Sequence, residues 1–177
     1  MFITFEGGDG AGKTTQIELL KAALEKEGRS VVVTREPGGN AVAEKIRELL
    51  LDRASVMEDM TEAYLYAAAR AEHVRAVILP ALARGQVVLC DRFIDSSVAY
   101  QGYGRQIGAE RVEALNREAV DGCMPERTYL LTLSEKDAAQ RVKNRGEVLK
   151  IVRESQRTPG RVVLCINGHH HVDYLRF

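Results

Sequence analysis

The segment Gly7–Thr14 combines glycines with a lysine and a threonine at a spacing that suits phosphate binding. It reads GGDGAGKT, which fits the pattern G-x-x-x-x-G-K-[ST]. Glycines let successive backbone N–H groups surround phosphate oxygens, and a helix that begins there adds the positive end of its dipole. Lys13 would then reach the β- and γ-phosphates, and the Thr14 hydroxyl would bind Mg²⁺. The motif predicts a nucleoside triphosphate site, with a tight glycine turn that binds no ligand as the alternative.

Alternating apolar segments indicate the elements that would hold this motif. Residues 2–5 are short and apolar, as in a strand, and Ile17, Leu20 and Leu24 follow the motif at helical spacing. Four further short apolar segments predict strands, at residues 30–34, 86–90, 128–133 and 161–166. Helical patterns separate these segments. We therefore predict an α/β fold of three layers, a five-stranded parallel sheet with helices on both faces.

Two charged residues follow the third predicted strand. Ligands of parallel α/β sheets bind beyond the carboxyl ends of the strands, so Asp91 and Arg92 should face the same site as the phosphate motif. The Asp91 carboxylate can hold Mg²⁺ or its water shell. The planar guanidinium of Arg92 can bind the phosphate of an acceptor. The alternative is a structural salt bridge at the end of a strand.

Four segments in chain order resemble the thymidylate kinase family. They are residues 5–16 (FEGGDGAGKTTQ), 34–39 (TREPGG), 67–73 (AAARAEH) and 91–102, which contains DRF, SS and YQG. Weaker similarity continues to about Gly146. The resemblance implies a P-loop fold of the nucleoside monophosphate kinase type. It also implies transfer of the γ-phosphoryl group of ATP to dTMP with Mg²⁺, which gives dTDP and ADP.

The motif and the resemblance together predict the site residues. Those expected to bind the ATP phosphates are Gly7, Gly8, Asp9, Gly10, Ala11, Gly12, Lys13, Thr14 and Thr15. Those expected to bind dTMP are Asp9, Arg35, Glu36, Tyr66, Arg70, Arg92, Ser97, Tyr100 and Gln101. Mg²⁺ is expected at Thr14 and Asp91. Catalytic roles are expected for Lys13, Arg92, Asp9, Arg141 and Arg145.

Tyr66 and Arg70 illustrate how the pattern and the resemblance combine. They lie four residues apart, hence on one helix face, where a ring could stack on a pyrimidine and a guanidinium could donate to a base carbonyl. The family usually has phenylalanine at the Tyr66 position, so the additional hydroxyl needs a partner. Without the resemblance, a tyrosine on a helix would be expected in the core.

The lid is where the chain departs from the family pattern. Ala11 stands where some members carry an arginine, and members without it use lid arginines, a role that Arg141 and Arg145 match. A solvated basic helix face is the alternative for these two residues. We expect one domain over residues 1–177, with a lid that is shortened or incompletely represented near residues 141–150. The three histidines 169–171 are expected at an exposed terminus rather than in a metal site.

Composition excludes several other classes of protein. The 177 residues include 25 Lys plus Arg and 25 Asp plus Glu, a balance that argues against a basic nucleic-acid binder. No apolar segment approaches the roughly 20 residues that span a bilayer. We therefore expect no nucleic-acid or membrane partner, and the odd number of cysteines, three without metal-like spacing, favours a cytoplasmic protein. The resemblance implies an enzyme whose partners are ATP and dTMP, and a homodimer. The alternatives are a P-loop kinase for another nucleoside or nucleotide, and a nucleotide-binding module made inactive by a defective lid.

Overall fold

The strands form a single sheet of six in the computed structural model, which describes residues 1–132, 163–166 and 172–174. They are β1 (Phe2–Gly7), β2 (Val31–Arg35), β3 (Val87–Asp91), β4 (Arg127–Leu131), β5 (Val163–Ile166) and β6 (Val172–Tyr174). Their order is β2-β3-β1-β4-β5-β6, with β1 to β5 parallel and β6 antiparallel to β5. The five predicted parallel strands are confirmed. The three residues of β6 are too few to show a strand pattern, which is why the prediction missed this strand.

Helical segments connect the strands. They are α1 (Lys13–Lys26), α2 (Ala41–Leu51), α3 (Asp59–His73), α4 (Leu79–Ala83), α5 (Ile94–Ser97) and α6 (Ala109–Val120), with π-helical turns at Val74–Ile78 and Val98–Gly104. Residues 95–108 are mostly small and polar, a composition that predicts a loop, but the structure is helical over most of this segment. Its small and polar residues form α5 and a π-helical turn, and such a mixture has no apolar period to predict a helix.

Within the described ranges, no helix has both the length and the apolar character needed to cross a bilayer.

Strand β1 divides its side chains between two cores. Ile3 and Phe5 pack in one cluster with Ile17 of α1. Phe2 points to the opposite face, where its ring meets that of Phe93 edge-on at 5.1 Å between centroids. Side chains of successive strand residues alternate between faces, so both faces of β1 are buried under helices. The three predicted layers are therefore confirmed.

The register of the central strands places the candidate site. Asp91, the last residue of β3, lies opposite Phe5 of β1 on one side and Arg35 of β2 on the other. Parallel strands in this register end together at one edge of the sheet. The phosphate motif after β1, Glu36 after β2 and Arg92 after β3 consequently share that edge.

Candidate active site

The loop between β1 and α1 has the backbone shape that phosphate binding requires. Gly7, Gly10 and Gly12 have φ angles of 135°, 79° and 96°, in a region that favours glycine. A Cβ at Gly7 would also collide with the carbonyl oxygen of Leu131. The side chain of Lys13 folds back into the loop, where Nζ donates to the carbonyl oxygens of Gly7 at 3.0 Å and Gly8 at 3.1 Å. The loop therefore surrounds an ammonium group with backbone dipoles.

The positive charge of Lys13 is only partly compensated by its surroundings. The residue is only 6% exposed. Burial, and then the nearby Arg92, lowers the pKa of Lys13, while Asp91, Asp9 and Glu6 oppose that shift. Nζ lies 3.9 Å from Asp91 Oδ1. A buried ammonium in this setting gains strongly from any further anion in the loop, which is what a phosphate would supply.

Asp91 has an oxygen suited to a metal ion. Its Oδ1 is buried and accepts no hydrogen bond from any residue that the structure describes. Thr14, in the first turn of α1, is exposed and lines the same cavity as Asp91. Mg²⁺ binds through oxygen ligands and often uses one or two protein groups together with substrate phosphates. The donor set formed by Asp91 and Thr14 therefore fits Mg²⁺.

A cavity of about 880 Å³ extends from the phosphate loop toward α3 and α5. All nine residues predicted to bind the acceptor line it: Asp9, Arg35, Glu36, Tyr66, Arg70, Arg92, Ser97, Tyr100 and Gln101. The loop residues that line it are Asp9, Gly10, Gly12, Lys13, Thr14 and Thr15, whereas Gly7, Gly8 and Ala11 do not. The structure thus brings the two predicted binding regions into one cavity.

Arg92 lines this cavity and contacts three other side chains there. It has a left-handed backbone conformation, with φ of 69°. Its Nη2 donates to the Asp9 carboxylate, and its Nη1 donates to Ser96 Oγ at 3.2 Å. The guanidinium also lies over the Tyr100 ring, 5.6 Å from the centroid. These contacts orient the guanidinium between the loop and the rest of the cavity.

Glu6 anchors the turn that carries Arg92, a role that the sequence analysis missed. Its carboxylate accepts from Phe93 N at 2.8 Å and from Ser96 Oγ at 2.6 Å. Burial, and then repulsion from Asp95, raises the pKa of Glu6 to about 7. The residue lies inside a segment that carried the family resemblance. Its contacts nevertheless depend on residues about ninety positions later, which no local pattern connects.

Arg70 is the most extensively bonded side chain of the acceptor region and is 2% exposed. Its Nε donates to Glu36 Oε2 at 2.6 Å and its Nη2 to Phe93 O at 3.0 Å. Its Nη1 donates to Ser97 Oγ at 3.1 Å and to the Asn116 side-chain oxygen. A guanidinium has five N–H donors, so within the described part of the chain these four bonds leave one Nη2 donor for a ligand.

Two residues predicted to contact the substrate make other contacts in the structure. Glu36 is 4% exposed and uses one carboxylate oxygen for Arg70 and the other for His73, at 2.9 Å. It therefore positions Arg70. The Arg35 side chain is 54% exposed and donates to both carboxylate oxygens of Glu44 at 3.1 Å. A substrate phosphate at Arg35 would have to compete with Glu44.

The remaining predicted residues form the far wall of the cavity. Burial, and then the Glu62 carboxylate, raises the pKa of Tyr66, so its phenol stays neutral. The Gln101 side chain is buried and donates from Nε2 to Glu62 Oε1 at 2.7 Å. Arg105 holds the other oxygen of Glu62 at 2.9 Å. Gln101 is thus held in place from outside the cavity.

Several lining residues were not predicted: Pro37, Arg47, Leu51, Phe93 and Ser96. Arg47 donates to Pro37 O at 2.8 Å and so lies on the cavity side of α2. Nothing in the sequence separates this arginine from one on a solvated helix face. Arg141 and Arg145 lie outside the described residues, so their catalytic role stays a prediction.

A phosphate loop that opens directly into a second cationic pocket is the arrangement of a P-loop phosphotransferase, because donor and acceptor phosphates must meet in line. The fold and the cavity therefore define that class of protein.

Comparisons with known proteins specify the family. The model of the family described as thymidylate kinase matches residues 5–165. A thymidylate kinase of Exiguobacterium sibiricum is 51% identical over 151 residues, which cover 85% of this chain and 71% of that protein. One of Pelotomaculum thermopropionicum is 52% identical over 163 residues, with coverages of 91% and 76%. The crystal structure of thymidylate kinase from Ehrlichia chaffeensis matches with a TM-score of 0.70 at 41% identity, covering 81% of this chain and 77% of that one. The chain belongs to the thymidylate kinase family.

Proposed function

We propose that this chain transfers the γ-phosphoryl group of ATP to dTMP, which gives ADP and dTDP. The observation that carries the proposal is the single cavity lined by both Lys13 of the phosphate loop and the guanidinium groups of Arg70 and Arg92. The acceptor is already an anionic phosphate, so the reaction needs no strong general base. Positioning and charge stabilisation therefore account for catalysis, without a covalent enzyme intermediate.

The loop is the donor side of the proposed reaction. Its backbone N–H groups hold the triphosphate, and the Lys13 ammonium exchanges the carbonyl oxygens of Gly7 and Gly8 for β- and γ-phosphate oxygens. Thr14 and Asp91 hold Mg²⁺. When bound, the ion neutralises charge on the phosphate oxygens. Arg141 and Arg145 are proposed to supply further positive charge to the transferred group.

The arginines after β3 and on α3 form the acceptor side. Arg92, oriented by Asp9 and Ser96, binds the phosphate of dTMP between loop and pocket. The free Nη2 donor of Arg70 binds a carbonyl oxygen of the base. Ser97 and Gln101 border the base, Tyr66 stacks on it and Tyr100 lies against the sugar. The homodimer and the cytoplasmic location implied by the resemblance stay predictions.

The test is an initial-rate assay of ADP formation with ATP, Mg²⁺ and a panel of monophosphates that includes dTMP, dUMP, UMP, CMP, AMP and GMP. We expect dTMP to give the highest kcat/KM. The Lys13→Ala protein, purified in the same way, controls for contaminating kinases. A faster reaction with another monophosphate would assign a different acceptor. Thermal stabilisation by ATP with no ADP formed from any monophosphate would instead indicate a nucleotide-binding module.

A further inference from the structure

A chain of hydrogen-bonded polar side chains runs behind Arg70, and two of its members, Thr34 and His73, do not line the cavity. The Thr34 hydroxyl of β2 lies 2.7 Å from His73 Nε2, at the end of α3. His73 Nδ1 lies 2.9 Å from Glu36 Oε1, and Glu36 Oε2 accepts from Arg70 Nε at 2.6 Å. His73 is completely buried. The imidazole thus links the sheet to the carboxylate that holds Arg70.

The partners of His73 determine where its proton lies. The Glu36 carboxylate, paired with the Arg70 guanidinium, can only accept, so Nδ1 of His73 carries a proton and donates. In the neutral imidazole, Nε2 then accepts from the Thr34 hydroxyl. Both ring nitrogens are therefore bonded, and the ring cannot rotate without losing a buried hydrogen bond.

The loop after β2 packs directly against this imidazole. Gly39 has a φ angle of 97°, and a Cβ there would lie 2.6 Å from His73 Nε2 and 2.8 Å from Thr34 Oγ1. Only glycine therefore fits at this position. The backbone of Gly39 therefore packs against the Cδ2–Nε2 edge of the ring, beside its hydrogen bond to Thr34, and holds the ring in place there.

We propose that His73 is a positioning residue for the acceptor, acting through Glu36 on the Arg70 guanidinium. A carboxylate that is hydrogen-bonded at only one oxygen can rotate about that bond. Glu36 is bonded at both oxygens, so the plane of its carboxylate group is fixed. That plane sets the direction of Arg70 Nε, and with it the direction of the remaining Nη2 donor. The inference rests on the proposed function, since the target of that donor is the base of the monophosphate.

Two amide substitutions separate positioning from packing. His73→Asn places an amide near the position of Nδ1 and can keep the donor to Glu36. His73→Gln places its amide near the position of Nε2, so it can keep a bond to Thr34 and loses the one to Glu36. We expect His73→Gln to raise KM for dTMP about tenfold, the factor that corresponds to the loss of one hydrogen bond to a charged group. KM for ATP should stay within about twofold, and His73→Asn should recover most of the dTMP affinity.

Thr128→Val is the matched control. Thr128 and Thr4 share a buried hydroxyl pair at 2.9 Å between β1 and β4, so this change also removes one buried hydrogen bond. It should lower Tm and leave KM for dTMP unchanged. Equal KM values for dTMP in the His73→Gln, His73→Asn and wild-type proteins would overturn the inference. An equal rise of KM for dTMP and KM for ATP in His73→Gln would also overturn the inference.

Two further results keep the inference distinct from the proposed function. If His73→Gln does not fold, Thr34→Val tests the inference instead, because it removes the hydrogen bond at the other nitrogen of the His73 ring. A rise in KM for dTMP of about threefold supports positioning, and an unchanged value contradicts it. A wild-type protein that forms no ADP with dTMP would contradict the proposed function, whatever the variants do. Normal wild-type kinetics with no separation between the two amides would contradict only the role of His73.

Discussion

The donor and acceptor halves of the cavity are built in opposite ways. In the donor half, Lys13 contacts carbonyl oxygens only five and six residues away, within one loop. In the acceptor half, Arg70 contacts side chains or backbone 23 to 46 residues away, on four other segments. Backbone groups in a local loop recognise a phosphate, which every nucleotide shares. Recognition of one particular base instead requires side chains that the whole fold brings together.

The largest expected effect tests the donor half of the cavity. Lys13→Ala should lower turnover on the order of a thousandfold, because the loop loses its cation where charge is transferred. The fold should persist, since the loop is closed mainly by its glycines. Lys21→Ala, on the exposed face of the same helix, is the control, and it should leave turnover unchanged. Normal turnover in Lys13→Ala would contradict the phosphate role.

Arg70→Ala tests the acceptor half of the cavity. It should raise KM for dTMP on the order of a hundredfold and leave KM for ATP within about twofold. It should also lower the free energy of unfolding by about 3–5 kcal/mol, because the buried Glu36 carboxylate loses the guanidinium that compensates its charge. Arg117→Ala, which breaks an exposed pair with Glu113, should change neither KM. Equal rises of the two KM values in Arg70→Ala would place Arg70 outside the acceptor pocket.

Glu6 connects the two halves, because it is the penultimate residue of β1, next to the phosphate loop, and it holds the turn that carries Arg92. Its pKa is raised to about 7, first by burial and then by Asp95, so the fold prefers the neutral carboxyl. The stability that this preference contributes is fully present below about pH 4.5 and is lost as pH rises to about 7.

Glu6→Gln should remove this pH dependence. We expect its free energy of unfolding to rise relative to wild type between pH 4.5 and 7, by on the order of 3 kcal/mol. Urea denaturation of both proteins at several pH values measures the difference. A difference that does not change with pH would show that the Glu6 carboxyl titrates normally in the fold.

The smallest expected effect concerns Arg35, at the exposed rim of the acceptor half. Arg35→Ala should change stability by less than about 1 kcal/mol, because its pair with Glu44 is exposed. KM for dTMP should nevertheless rise, if the guanidinium contacts the phosphate as the resemblance implies. Glu44→Ala breaks the same pair and leaves Arg35 in place, so it should not raise KM for dTMP. If Arg35→Ala and Glu44→Ala change KM for dTMP by the same factor, Arg35 does not bind the substrate.

The two halves also differ in what the sequence could predict. Spacing alone indicated the loop and Lys13, and the apolar strands indicated the parallel sheet. The resemblance indicated that Arg70 belongs to the acceptor site. Glu36 was expected to contact the substrate, but its carboxylate bonds Arg70 and His73 instead. Asn116 also bonds Arg70, yet on α6 it looks like any polar helix residue. Contacts between distant segments depend on how the helices pack, which no local pattern encodes.

The most direct test of the central claim is a crystal structure of the protein with Mg²⁺, dTMP and a non-hydrolysable ATP analogue. We expect the terminal phosphate of the analogue at Lys13 and the dTMP phosphate within hydrogen-bond distance of Arg92. The base should accept from Arg70 beside Ser97. A structure in which dTMP lies away from Arg92, or outside the cavity, would contradict the account.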